Sequence, residues 1–143
     1  MRDLHNNIAL RQTLNPAART STISAAAADR RGHESVEHVA LIGQSGDALS
    51  GSVKFTIKIE ESGDGGSFTP ITDNAKVLGG SVDASGIFAT IDSTSEDEMA
   101  YRIGYVGNER YSRLTFTFTG THTNGTPLAA LAILSHAQVK PTA

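Results

Sequence analysis

Val53-Lys54-Phe55-Thr56-Ile57-Lys58-Ile59-Glu60 alternates apolar and polar residues without a break. Successive side chains of a strand point to opposite sides, so Val53, Phe55, Ile57 and Ile59 share one face and Lys54, Thr56, Lys58 and Glu60 the other. One face belongs to a core and the other to water or an interface. The run ends at Ser62-Gly63-Asp64-Gly65-Gly66. That is a turn signal, because glycine accepts positive φ at no steric cost. Ser67-Phe68-Thr69-Pro70-Ile71 reads as the returning strand. Pro70 has no N–H to offer a ladder, which puts that strand at an edge or makes it end there.

Working outward, strands are expected over residues 36–42, 75–78, 86–91 and 101–105, and again where Leu114, Phe116 and Phe118 alternate with Thr115, Thr117 and Thr119. Tyr111 is out of phase with Leu114 and Phe116, which predicts a bulge or twist at the start of that strand. Residues 127–137 are apolar on both faces. This fits a central buried strand, with a helix left open by length and Ala content. About seven strands joined by Gly-rich turns predict a mainly β chain, an antiparallel β-sandwich of jelly-roll or Ig-like topology.

The first 33 residues differ from this body. They carry five Arg against two Asp, a net +3, whereas residues 34–143 carry seven Lys/Arg against thirteen Asp/Glu, a net −6; together they make the −3 of the chain. The apolar punctuation Leu4, Ile8, Leu10 and Leu14 fits neither a clean helix nor a clean strand. Asn15-Pro16 reads as a turn or extended kink. Ala25 to Arg31 has the composition of a short helix, marginal in isolation. Residues 1–33 are therefore expected as an extended N-terminal arm that a partner surface orders, and residues 34–143 as the β-sandwich body. Leu4, Ile8, Leu10, Arg11, Leu14, Arg19, Arg30 and Arg31 are its candidate contact residues.

At 143 residues the chain suits one domain, and the body alone is large enough for one core. With no Cys, disulfides and thiolate metal sites are excluded, so stability rests on packing or assembly. No apolar run approaches the roughly 20 residues that span a bilayer, and Met1-Arg2-Asp3-Leu4-His5-Asn6-Asn7 lacks the apolar core of a signal peptide. Synthesis in a reducing cytoplasm is expected. The mild net charge argues against direct nucleic-acid binding.

Chemistry-bearing patterns are sparse. Phosphate-loop, zincin, nucleophile-elbow and dinucleotide fingerprints do not occur. His5, His33, His38, His122 and His136 are not paired at metal-ligand spacing, although His38 and His136 lie in expected strands that could meet across a sheet. The acidic stretches at 92–98 and 60–64 lack the calcium-loop spacing and read as solvated loops. Asn124-Gly125-Thr126 matches a glycosylation sequon. The Thr115, Thr117, Thr119 row suits a sheet surface and is the feature a carbohydrate-binding module would use; the lack of Trp weakens that reading, since sugar platforms rely on aromatic faces. No cofactor, no metal and no catalytic residues are expected.

Two segments carry a resemblance. Glu60-Glu61-Ser62-Gly63-Asp64-Gly65-Gly66-Ser67-Phe68-Thr69-Pro70-Ile71 is one, and Tyr105-Val106-Gly107-Asn108-Glu109-Arg110-Tyr111-Ser112-Arg113-Leu114 is the other. With Asp3-Leu4-His5-Asn6-Asn7-Ile8 and Leu14-Asn15-Pro16, the chain resembles small virion proteins of tailed bacteriophages, described as capsid cement or decoration proteins. The resemblance implies a non-enzymatic structural protein on the capsid surface, made in the host bacterial cytoplasm. Its implied partners are the major capsid protein and neighbouring copies of itself, with a trimer as the expected oligomer. A tail or head–tail connector component is the alternative. Arg110, Tyr111 and Arg113 join the candidate contacts, because Arg and Tyr are favoured at interface hot spots.

Overall fold

The computed structural model describes residues 2–141. Among these, the chain forms eleven strands and two single 3₁₀ turns, His5–Asn7 and Asn74–Lys76. The strands are β1 (Ile8–Arg19), β2 (Ile23–Ser24), β3 (Ala28–Asp29), β4 (His33–Ile42), β5 (Lys54–Ser62), β6 (Thr69–Pro70), β7 (Val77–Leu78), β8 (Ile87–Ile91), β9 (Ala100–Tyr105), β10 (Tyr111–Thr119) and β11 (Thr126–Ala137). They make two antiparallel sheets, a first in the order β1-β11-β4-β9-β7 and a second in the order β2-β10-β5-β6, with β3 also on β10 and β8 also on β5. The expected β-sandwich is present. From β4 on, the strands β4, β5, β9, β10 and β11 alternate between the two sheets along the chain.

The alternation of β5 sets the core. Phe55, Ile57 and Ile59 are fully buried, and β10 lies beside them in unbroken register from Tyr111↔Ser62 to Thr119↔Lys54. Leu114 and Phe116 complete that inner face, and Val36, Ala40, Ile103, Leu128, Ala132 and Leu134 of the first sheet pack against it. Burying each large apolar side chain contributes about 1.5–3 kcal/mol. Pro70 sits in β6, the last strand of its sheet, as an edge position requires. Gly120 ends β10 at φ +81°, where a Cβ would lie 2.2 Å from the Ser52 carbonyl oxygen.

Four expectations are corrected. Residues 8–29 do not await a neighbour, because they are strands of the sandwich itself. β1 pairs with β11 from Ile8↔Ser135 to Arg19↔Thr126, and β2 and β3 pair with β10. The boundary at residue 33 thus separates a charge pattern, not an arm from a body. Second, the Ala25 to Arg31 stretch is extended rather than helical. The Ala25 N–H donates to Leu114 of the second sheet (2.9 Å) and the Ala26 N–H to Thr13 of the first (2.8 Å). The small side chains let the backbone close one flank of the sandwich, and these tertiary bonds override helix propensity. Third, the strand at Tyr111 carries no bulge, since Ser112 occupies the core phase and Tyr111 faces outward. Fourth, β11 is central in its sheet but buried on one face only: Leu128, Ala130, Ala132 and Leu134 are enclosed, while Ala129, Leu131 and Ile133 are only partly covered.

Candidate assembly surface

The outer face of the first sheet follows from its registers. Ile133 lies between Leu10 and Glu37, Leu131 between Gln12 and Val39, and Ala129 beside Leu41; Val39 is then opposite Arg102 and Leu41 opposite Ala100. β11 is apolar on this side as well as toward the core, and β4 adds Val39 and Leu41 beyond Glu37. Leu10, Leu41 and Leu78 are 58 %, 45 % and 59 % exposed, a large apolar exposure for one sheet face. A groove of about 440 Å³ lined by Leu10, Gln12, Leu14, Pro16, Leu41 and Leu131 runs along it. A shallower one of about 250 Å³ continues past Pro16, Leu41 and Pro127. The charged groups at its flank are Glu37 and Arg102, 3.9 Å apart. Burial pushes the Glu37 carboxyl up, partly offset by Arg102.

The opposite face of the molecule is polar. Lys54, Thr56, Lys58 and Glu60 of β5 stand beside Arg113, Thr115, Thr117 and Thr119 of β10. Thr115 is buried, shares a hydroxyl contact of 3.0 Å with Ser24 and donates to Glu60 at 2.9 Å. Thr115 is therefore closed off by side chains of its neighbours in the sheet, Ser24 on one side and Glu60 on the other, and the Thr row is not an open platform along its whole length.

The candidate contact residues are distributed unevenly. Leu4 and Leu10 are exposed, at 61 % and 58 %, whereas Leu14 is a core residue at 5 %. Ile8 is half-buried at the start of β1. Arg11 is exposed and donates to the Leu10 carbonyl at 3.0 Å, and Arg19 donates to the Asn15 carbonyl at 3.2 Å. Arg31 is exposed. The other arginines are occupied inside the chain. Arg30 donates to the Glu109 and Asn108 carbonyls, each at 2.7 Å. Arg110 holds Asp29 through two bonds of 2.9 and 2.7 Å and covers the Tyr111 ring, with 4.9 Å to its centroid. Arg113 bonds Glu60 at 2.8 Å and stacks on Phe68 at 3.9 Å. The cluster is a set of ties between β3, β5, β10 and the hairpin.

Two buried carboxylates anchor these ties. Burial pushes the Glu60 carboxyl up, but bonds from Lys58, Arg113 and Thr115 outweigh it and hold it below the usual range. Glu61 takes a hydrogen bond from Lys76 and one of 2.6 Å from the buried Tyr105 hydroxyl. Burial, reinforced by that bond, pushes the Tyr105 phenol up. Replacing Arg113 with Ala removes the charged donor from one Glu60 oxygen, leaving only the Thr115 hydroxyl on it and Lys58 on the other. The expected loss is about 1–2 kcal/mol of unfolding free energy, read as a lower urea midpoint, with Arg113→Lys recovering only part.

The remaining polar features are structural. Asp64 accepts the Ser67 and Gly66 N–H groups and the Ser62 hydroxyl, which holds its pKa at about 2. Glu96 accepts the Asp92 and Ser93 N–H groups, and Asp97 accepts that of Ser45. Groups of three or more metal-ligating side chains are absent among the described residues. The Asn124 amide is engaged by the Gly46 carbonyl at 2.9 Å. His38 and His136 do not meet: His38 is opposite Ala132 and reaches Ser112 across the core, while His136 contacts the Ser35 hydroxyl at 2.7 Å.

Sequence reasoning missed Val39, Leu41, Leu131 and Ile133 as surface residues. Their signal was the apolar character of both faces of β11 and of the end of β4, Val39 to Ile42, which reads as burial unless the sheet is known to have an open side.

No protein-family model matches the chain, and no curated protein does. Among solved structures, a chain from the structure of infectious bursal disease virus, Gx strain, is similar over 94 % of this chain and 33 % of its own length, at 13 % identity and a TM-score of 0.39. The present chain thus spans about a third of that one. No helix among the described residues is long and apolar enough to cross a membrane.

Proposed function

We propose that this chain is a non-enzymatic structural subunit of a tailed-phage virion, a capsid cement or decoration protein that assembles through the outer face of its first sheet. The observation that carries the reading is that face. A two-layer sandwich needs apolar residues on two sheet faces only, and here a third is apolar across β1, β11 and β4. Contiguous apolar surface of this kind marks contact with another macromolecule. The two phage-like segments support the reading in a second way. They form the β5–β6 hairpin and the β9–β10 turn, where Asp64, Tyr105, Arg110 and Arg113 make the internal ties that stiffen the body. A stiff body repeated over a symmetric shell adds many modest contacts into firm attachment. Its partners are the major capsid protein and copies of itself, and its place is the outer capsid surface.

Quantitative mass spectrometry of purified virions from the source phage tests this. The expected result is a copy number in the hundreds, matching shell symmetry. Absence from purified particles overturns the virion reading. A copy number of about a dozen or fewer, with a labelled C-terminus at the tail or neck in electron micrographs, moves the protein to the tail or connector.

A further inference from the structure

We infer that a second copy of this chain covers the outer face of the first sheet, the two packing face to face about a twofold axis. This rests on the reading of that face as the assembly surface and names its occupant.

The first argument is that the sheet is closed to edge addition. Its two edges are β7, only two residues long, and β1, whose ladder is broken by register shifts between Gln12 and Leu14 and between Leu14 and Ala17, with Pro16 inside the second. Bulges and proline on an edge strand block pairing with another chain. The partner must therefore approach the face.

The second is charge. The charged side chains at the face are Glu37 and Arg102, one of each sign, on neighbouring strands at one side of an apolar centre. A twofold rotation brings the Glu37 and Arg102 of one copy against the Arg102 and Glu37 of the other, so the patch is complementary to itself, as an isologous contact requires. A basic or acidic partner surface would find no net charge to match. A trimer would need two different mutually fitting patches, whereas this face is one patch.

The third is size. Strands about 4.8 Å apart and rising about 3.3 Å per residue give β1, β11 and β4 with part of β9 a projected area of roughly 600 Å². Accessible area exceeds projected area, so each copy reaches the neighbourhood of the ~800 Å² per partner of stable complexes. Leu131 and Val39 sit at its middle and are the expected anchors.

Sedimentation equilibrium of the full chain is the test. The expected species is a dimer of twice the 15.0 kDa chain mass. Leu131→Lys should weaken it about 100-fold, the size of losing a central anchor. Arg102→Glu should weaken it too, and the double variant Glu37→Arg/Arg102→Glu should restore it, because the swap re-establishes self-complementarity. Circular dichroism and a cooperative urea transition verify that each variant folds; the conservative Leu41→Ser serves if Leu131→Lys does not. A monomer at 100 µM, a trimer, or a dimer unmoved by Leu131→Lys and Leu41→Ser overturns the inference. A monomer whose face becomes protected only on capsids also overturns it, while leaving the virion reading intact. Absence from virions with a dimer in solution does the reverse.

Discussion

Deleting residues 1–25 is expected to abolish the folded state, not merely an attachment. β1 supplies the edge ladder to β11 along most of its length. Its Ala9 and Leu14 are 4 % and 5 % exposed, and Ala25 beyond it is 3 % exposed. Removing them uncovers the inner side chains Ala130, Ala132 and Leu134 of β11 and leaves its outward-facing backbone groups without partners. Leu14 alone is worth about 2–4 kcal/mol by truncation to Ala. Each lost ladder bond adds about 0.5–1.5 kcal/mol. Against a total stability of about 5–15 kcal/mol for a domain of this size, the sum is fatal. The truncated chain should show no cooperative urea transition and should aggregate, while Leu14→Ala in the full chain should fold with a lowered midpoint. A truncated protein with a sharp transition and native near-ultraviolet dichroism would restore the arm reading.

Mild acid is expected to weaken the fold through His38. The imidazole is fully buried between the sheets, with Nε2 2.7 Å from the Ser112 hydroxyl and Nδ1 without a hydrogen-bond partner. Burial pushes its pKa down from 6.5 to about 4. The folded protein therefore holds it neutral while the unfolded chain takes up a proton. Between these two values the unfolded state binds more protons, so stability rises with pH. The contribution is complete above pH 6.5 and falls away as the pH drops toward 4, by roughly 3 kcal/mol at about 1.36 kcal/mol per pH unit. The lowered carboxylates Asp29, Asp47 and Glu60 act in the opposite sense of charge. Their contribution is present above the ordinary carboxylate range and is lost below it, so their window lies beneath that of His38. Urea unfolding at pH 7.5, 6, 5 and 4.5 measures the slope. His38→Gln, neutral throughout, should be less stable at pH 7.5 but flatter over this range. A wild-type curve flat from pH 7 to 4.5 would refute the assignment.

Most strands were legible because alternation is local. In β5 and β10 the core phase is visible in a few consecutive residues, and the structure uses that phase. β1 was illegible for an equally physical reason. The register shift between Gln12 and Leu14 displaces Leu14 from the phase of Leu10, so that Leu10 faces out and Leu14 faces the core; a second shift follows before Ala17, and the spacing matched no single period. The small strands β2 and β3 carry no periodicity at all, since two residues cannot. The Arg110 and Arg113 ties were hidden differently. Their partners Asp29 and Glu60 lie 81 and 53 residues away in the chain, and nothing near each Arg distinguishes a tethered guanidinium from a free one.

The composition and periodicity of the chain are sufficient for a cysteine-free, antiparallel β-sandwich with β5 and β10 at its heart, because burial of alternate residues is a property of each strand alone. Whether an apolar face is covered is a property of the packed sheets. The doubly apolar pattern in β11 that spoke for deep burial becomes, once the second sheet is found on one side only, an open face at Leu131 and Ile133, which Val39 and Leu41 of β4 continue. The basic N-terminal segment, set apart by charge, is joined to the body by backbone hydrogen bonds, and those depend on which strand edges the fold leaves unpaired.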